Sequence, residues 1–269
     1  MSQCNHDCGS CQSKCDSANL IEPANSASKI KKVIAVVSGK GGVGKSSVTS
    51  LLAVKVSQMG YKTAILDADV TGPSIPTAFG ITDKAYGQDG NIMPLVSRDG
   101  VKVMSLNCLL DDPSQPVVWR GSLISGTVKQ FWTDVAWGEV DYMFVDMPPG
   151  TGDVPLTVFQ SLPIDGIVIV TSPQQLVSMI VSKAVNMAKL MHVPILGAVE
   201  NLAYYECPDC HRREYIFGES KLEEYCKQYD IPLFDRVPID TTLAKVMDNG
   251  KIESYLNPYL NDFVQGLVK

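Results

Sequence analysis

A short apolar run, Val33 to Val37, leads straight into Ser38-Gly-Lys-Gly-Gly-Val-Gly-Lys-Ser-Ser47, and a helix-like run follows from Ser46 to Met59. No other stretch restricts the fold so tightly. The spacing of Gly39, Gly44, Lys45 and Ser46 is that of a phosphate-binding P-loop, which requires a strand turning into a helix. Small residues there let backbone N–H groups converge on phosphate oxygens at the positive end of the helix. Lys45 then reaches the β- and γ-phosphates, and the Ser46 hydroxyl ligates Mg²⁺. The expected nucleotide cradle is Gly39, Lys40, Gly41, Gly42, Val43, Gly44, Lys45, Ser46 and Ser47.

Carboxylates appear where such a loop needs them. Lys62 to Leu66 reads as a second buried strand ending in Asp67-Ala-Asp69, and a pair of acids at the carboxyl end of a strand can hold the Mg²⁺ shell and position an attacking water. Tyr142 to Val145 is a third apolar run, ending in Asp146, a carboxylate that supports Mg²⁺ through water. The loops that follow, Thr71 to Pro76 and Met147 to Asp153, are rich in Gly and Pro and are placed to sense the γ-phosphate.

The rest of the chain repeats the same alternation. Gly166 to Thr171, Gln174 to Met191 and Pro194 to Val199 give strand, helix, strand, one parallel crossover unit closed by Glu200-Asn201. Short strands are expected at Ile92 to Val96 and Val101 to Leu106, and a helical pattern runs through Leu123, Ile124, Val128, Phe131, Trp132 and Val135. Further helix is expected at Ser220 to Gln228, strand at Pro232 to Val237, and a last helix with Leu256, Leu260, Phe263 and Leu267 on one side, docked on the core. The fold class is therefore α/β. A single-domain P-loop NTPase, with a mostly parallel, doubly wound sheet flanked by helices, is expected over residues 30–269, behind a mobile Cys-rich tail at 1–29.

Eight cysteines remain, six of them in two clusters. In a reducing cytosol they read as metal ligands or redox groups. Cys4, Cys8, Cys11 and Cys15 suit a [4Fe-4S] cluster or a Zn site, with His6 as an alternative ligand, or else belong to a thiol-bearing tail. Cys207-Pro-Asp-Cys210 gives one tetrahedral centre only half its ligands, and a two-fold dimer would supply the other half around a bridging cluster. A zinc knuckle recruiting His211 and a redox dithiol are the competing readings. Cys108 and Cys226 stand alone and read as small buried apolar residues.

A net charge of −6 without a dense basic patch argues against duplex nucleic acid as a partner. No apolar stretch approaches the roughly 18 to 20 residues that span a bilayer, so no membrane and a cytoplasmic location are expected.

The second lysine of the loop, Lys40, gives a variant that resembles the deviant Walker A branch, which includes the MinD and ParA ATPases, the nitrogenase iron protein and the Mrp family. With Asp67-Ala-Asp69-Val-Thr-Gly-Pro-Ser74, Trp119-Arg-Gly121, Asp146 to Asp153, Glu200-Asn-Leu-Ala-Tyr-Tyr-Glu-Cys-Pro-Asp-Cys210 and Ile216-Phe-Gly218, the chain closely resembles the Mrp family of iron–sulfur cluster carrier ATPases. The resemblance implies a homodimer that binds ATP and Mg²⁺ and holds a labile [4Fe-4S] cluster at Cys207 and Cys210. It implies cluster exchange with apo iron–sulfur proteins and an assembly scaffold, with slow ATP hydrolysis. By the same resemblance Lys40 reaches the partner's nucleotide, Asp69 serves hydrolysis and Asn201 contacts adenine, where a buried or capping amide is the other reading. A MinD- or ParA-like positioning ATPase and a nitrogenase-iron-protein-like electron donor are the alternatives. Relatives of the Nbp type carry a longer N-terminal cysteine motif, so a cluster at Cys4 to Cys15 rests on spacing alone.

Overall fold

The computed structural model describes residues 21–69, 74–110, 121–150, 152–173 and 177–269. The expectations for Cys4, Cys8, Cys11, Cys15, His6, Thr71, Trp119, Arg120 and Thr151 lie outside the described residues. The apolar runs become strands: β1 (Ser28–Ser38), β2 (Thr63–Asp67), β3 (Gly87–Gln88), β4 (Asn91–Ile92), β5 (Leu95–Val96), β6 (Lys102–Met104), β7 (Gly138–Asp146), β8 (Gly166–Thr171), β9 (Ile195–Asn201), β10 (Tyr205–Glu206), β11 (Arg213–Glu214) and β12 (Phe234–Val237). Eight of them form one sheet in the order β12-β9-β8-β1-β7-β2-β6-β5. Every neighbouring pair is parallel except β5 with β6. β10 with β11 and β3 with β4 form two separate antiparallel hairpins.

The central strands are apolar throughout because both faces are covered. Along β1, Val33, Ala35 and Val37 face one hydrophobic layer while Ile34 and Val36 face the other. The first layer includes side chains from α3 (Gly121–Thr133), α4 (Asp153–Ser161), α5 (Val177–Leu190) and α6 (Leu222–Gln228). The second includes side chains from α1 (Lys45–Gln58), α2 (Ile75–Ala78), α7 (Thr241–Asp248) and α8 (Asn261–Leu267). Helices on both faces of a parallel sheet make the doubly wound arrangement that the alternation predicts. Leu51 and Leu52 of α1 are fully buried, and each such side chain contributes about 1.5–3 kcal/mol. α8 reaches β9 through a bare backbone: a Cβ on Gly197 would lie 2.6 Å from Cε2 of Phe263.

Several boundaries differ from the sequence expectation, each for a local reason. The apolar stripe Leu256-Leu260-Phe263-Leu267 is not one helix: α8 begins at Asn261 and Leu256 is almost fully exposed. Pro258 interrupts it, since proline lacks the N–H that a helix interior needs and disfavours helical backbone before it. Val135 falls beyond the end of α3 and bridges to Ile92 instead. The strand expected at Ile92 to Val96 is split into β4 and β5 at Met93-Pro94, because proline cannot donate to a ladder. The boundary drawn at residue 30 lies inside β1. Ahead of it, Glu22 N–H donates to Ser161 O at 2.8 Å and the Asn25 amide donates to Asn91 Oδ1 at 2.8 Å.

Candidate functional site

Register builds the crevice. Val36 of β1 and Asp67 of β2 both pair with Asp146 of β7, so two carboxylates lie in one row at the carboxyl edge of the sheet, directly beneath the loop that leaves β1. β1 is flanked by β7 on one side and β8 on the other, and the chain departs in opposite directions from that point. Ligand crevices in open α/β sheets form at such a reversal. A cavity of about 240 Å³ opens there, lined by Ser38, Lys40, the loop from Gly41 to Ser47, Asp69, Ser74 and Pro149. Gly44 turns the chain into α1 in the left-handed conformation (φ 73°), and its carbonyl accepts the first helical bond from Val48 N–H at 3.0 Å.

Asp146 is the electrostatic centre. It is fully buried, receives the Ser46 hydroxyl at 2.6 Å and the Thr49 hydroxyl at 2.7 Å, and forms an ion pair with the Lys45 ammonium at 2.8 Å. Lys45 also lies 3.7 Å from Asp69, on the side of the cavity. Thr49 was not singled out from the sequence, although it sits one turn beyond Ser46 on the same helix face, which is the signal that could have found it. Asp67 is buried beside them, and its Oδ1 accepts the Asp69 backbone N–H at 3.1 Å. Burial first, then the Asp146 charge, holds its carboxyl well above the ordinary aspartate value, against the pull of Lys45. Asp67 Oδ2 is buried without a hydrogen-bond partner. Together with the Asp146 carboxylate and the Ser46 hydroxyl it forms an all-oxygen set that suits Mg²⁺.

Lys40 is half-buried on the rim of this cavity, with its carbonyl accepting the Ser38 hydroxyl at 3.0 Å. Asn201, at the end of β9, is buried, and its amide donates to Val43 O at 2.9 Å. The side chain thus braces the phosphate loop from the neighbouring strand. A Cβ on Gly44 would stand 2.1 Å from that amide nitrogen, so the close approach requires glycine as much as the positive φ does.

Immediately past Asn201 the chain enters the cysteine hairpin. Cys207 N–H donates to Arg212 O at 3.0 Å and His211 N–H to Cys207 O at 2.9 Å, closing a tight loop around the Pro208-Asp209 pair. His211 takes a left-handed conformation (φ 56°) to complete it. The backbone N–H of Cys210, then that of Asp209, point at the Cys207 sulfur and hold its thiol below the ordinary cysteine value. Cys207 is half-buried and Cys210 exposed. Among the described residues no group of three or more Cys, His, Asp or Glu side chains is arranged to hold a metal ion, so within those residues Cys207 and Cys210 form half a site. A cavity of about 480 Å³ separates Cys207 and Arg213 from the loop Pro238 to Thr241 and Tyr259. Cys108 and Cys226 are buried, and desolvation pushes both thiols up to about 11.

Residues 29–265 match the family described as ParA: NUBPL iron-transfer P-loop NTPase. An iron–sulfur cluster carrier protein of Clostridium perfringens is 42% identical over 97% of this chain and 99% of its own length. Another from Methanocaldococcus jannaschii is 42% identical over 93% of this chain and 90% of its own. Among solved structures, a nucleotide-binding protein of Archaeoglobus fulgidus, in complex with ADP and with Co found in it, superimposes with a TM-score of 0.80 at 46% identity, covering 87% of this chain and 92% of that one. The MinC:MinD complex of Aquifex aeolicus matches with a TM-score of 0.59 at 18% identity over 88% of this chain and 92% of that one, a likeness of fold alone. With its phosphate loop, paired acids and cysteine hairpin set on one doubly wound sheet, the chain belongs to the NUBPL iron-transfer family of P-loop NTPases, alongside the iron–sulfur cluster carrier proteins.

Proposed function

We propose that the protein is an ATP-dependent iron–sulfur cluster carrier. Two copies together hold a labile [4Fe-4S] cluster as cargo between their Cys207 and Cys210 thiolates, accept it from an assembly scaffold and deliver it to apo iron–sulfur proteins. The observation that carries this reading is the Cys207 loop itself, a tight hydrogen-bonded hairpin that presents Cys207 and Cys210 side by side at an accessible surface. Thiolate, not thiol, is the metal ligand, and a cubane cluster takes four. One chain offers two there, and a two-fold axis through the cargo supplies the rest. A reducing, cytoplasmic setting suits such exposed thiols.

The nucleotide crevice acts as the switch. Lys45 neutralises the β- and γ-phosphates, Asp69 orients the attacking water, and Lys40 reaches the nucleotide of the partner copy. Ser46, Asp146 and Asp67 would hold Mg²⁺, which supplies charge neutralisation on the phosphates when bound. Hydrolysis is slow and alters the dimer, and Asn201 transmits the change: its amide braces Val43 while the chain just beyond it carries Cys207. The test is anaerobic reconstitution with iron and sulfide, measuring iron per dimer and the absorption spectrum for wild type and Cys207→Ala/Cys210→Ala. The expected result is loss of about four irons per dimer in the variant. Any iron that remains reports on Cys4, Cys8, Cys11 and Cys15, as a second cluster or a zinc site. Wild type that takes up zinc and no iron would overturn the carrier reading.

A further inference from the structure

β9 ends in two polar residues that leave the sheet on opposite faces. Asn201 is committed to the phosphate loop. Glu200 lies on the other face, where Ala198 packs in one layer with Leu222 and Cys226 of α6, and it is fully buried. Among the described residues neither of its carboxylate oxygens has a hydrogen-bond partner, and neither does the buried hydroxyl of Thr171, its register neighbour on β8. Burial holds the Glu200 carboxyl above the ordinary glutamate value, against the pull of Ser220 and Arg236. An acid in this setting is costly, and an apolar side chain would cost less. The fold alone does not call for it.

The register neighbour of Glu200 on the other side is Arg236 of β12. Arg236 Nε lies 3.8 Å from Glu200 Oε2 and donates to Ser220 Oγ at 3.2 Å. Ser220 Oγ also accepts the Leu222 N–H at 3.2 Å, where α6 begins. One guanidinium therefore touches both limbs of the excursion that carries Cys207 and Cys210: Glu200, where the chain leaves the sheet, and Ser220, where it returns. The outgoing limb is held to β12 and the loop beyond it by two further bonds, Ala203 N–H to Val237 O at 3.0 Å and Ile239 N–H to Tyr204 O at 2.7 Å. The returning limb is exposed from Cys210 to Glu219, and Ser220 is its first residue that is not.

Fixing both ends of an excursion restricts every conformation between them. A planar guanidinium suits the task, because less of its freedom is lost for each bond it forms than a lysine would lose. Glu200 directly precedes Asn201, so a movement of the phosphate loop that shifts Asn201 also shifts Glu200. The returning limb follows that shift through Arg236 and Ser220.

We propose that Arg236 is a positioning residue for the cysteine hairpin, joining its outgoing and returning limbs so that Cys207 and Cys210 keep their spacing and move with the strand end beside the phosphate loop. The consequence for cargo rests on the carrier reading; the tie itself does not. The test compares full-length wild type with two variants. Arg236→Lys keeps a charge against Glu200 but lacks the guanidinium fork, and Arg236→Met/Glu200→Gln removes both charges. Hydrogen exchange of the iron-free protein, read by mass spectrometry without nucleotide and with ATP and Mg²⁺, follows the hydrogen-bonded amides between Ala203 and Gly218 against those of α1, α6 and β9. We expect the hairpin amides to exchange several-fold faster in both variants and to lose their response to ATP. Exchange in α1, α6 and β9, affinity for ATP and the melting temperature of Arg236→Lys should stay close to wild type. In reconstituted protein, iron loss to bipyridyl should accelerate several-fold. Unchanged hairpin exchange in both variants would overturn the tie, as would acceleration spread equally over β9 and α6, which would mark the pair as part of general domain stability. A wild-type hairpin whose exchange ignores ATP would overturn the link to the phosphate loop, and faster exchange with unchanged iron loss would overturn the effect on cargo. If wild type takes up no iron, the carrier reading fails, while exchange of the iron-free protein still decides the tie.

Discussion

The nucleotide crevice and the cysteine hairpin sit on the same edge of the sheet, yet they are built in opposite ways. In the crevice the central groups are buried and drawn onto one carboxylate: Lys45, Ser46 and Thr49 all converge on Asp146. On the hairpin Cys210 is exposed, the ion pairs are solvated and contribute little to stability, and backbone N–H groups do the organising. The difference follows the chemistry. Phosphate transfer needs preorganised charge shielded from water, whereas a cargo that must leave needs ligands that a partner can reach. What joins the two is one strand end, where the Asn201 amide bonds to Val43 O and the following residues run into Cys207.

The contrast can be tested at its widest point with thiol chemistry. In the iron-free protein at pH 7, alkylation should reach Cys207 well before Cys108 or Cys226. A thiol held at about 11 is ionised in only about one molecule in ten thousand at that pH, and both are also buried. Mass spectrometry of a labelling time course reads this directly; comparable rates at all three would mean that the hairpin N–H groups do not activate the sulfur. A second break is Lys45→Ala. Turnover of ATP should fall by about 10²- to 10³-fold, and delivery of the cluster to an apo-protein should fall with it, while iron content stays close to wild type. Equal delivery by the variant would remove the coupling between crevice and hairpin.

The smallest effect concerns pH. Because the folded Asp67 carboxyl binds its proton more tightly than the unfolded chain does, the unfolded state holds fewer protons above the ordinary aspartate value. Stability therefore falls as pH rises from about 4 toward the raised folded value. Asp67→Asn removes that dependence, so its melting temperature should match wild type near pH 4 and exceed it increasingly toward neutral pH. A constant offset at all pH values would show that the carboxyl is not held up by burial.

Much of the crevice was legible because its signals are local. The glycine spacing before Lys45, and the apolar runs that end in Asp67 and Asp146, each occupy a few consecutive residues whose backbone setting follows from periodicity. Thr49 was missed because its one signal is its place a turn beyond Ser46, and the register of β7 beside β1 is what brings Asp146 to that helix face. Asn201 carries two readings in the sequence, a base contact and a buried amide, and the fold adds its bond to Val43 O, which no local pattern records. The apolar stripe ending at Leu267 misled in a different way, since its period ignored Pro258, and a chain break outweighs a spacing.

The sequence alone determined the strand-to-helix phosphate loop, the acidic strand ends and the alternation that yields a doubly wound sheet, because each depends on backbone preferences and periodicity within a short window. Only the tertiary structure decided which residues meet: Lys45 with Asp146, Asn201 with Val43, and Arg236 with Glu200 and Ser220. Parallel register and loop closure join segments far apart in the chain, and the energies that fix them come from burial and pairing across that distance, which no local pattern records.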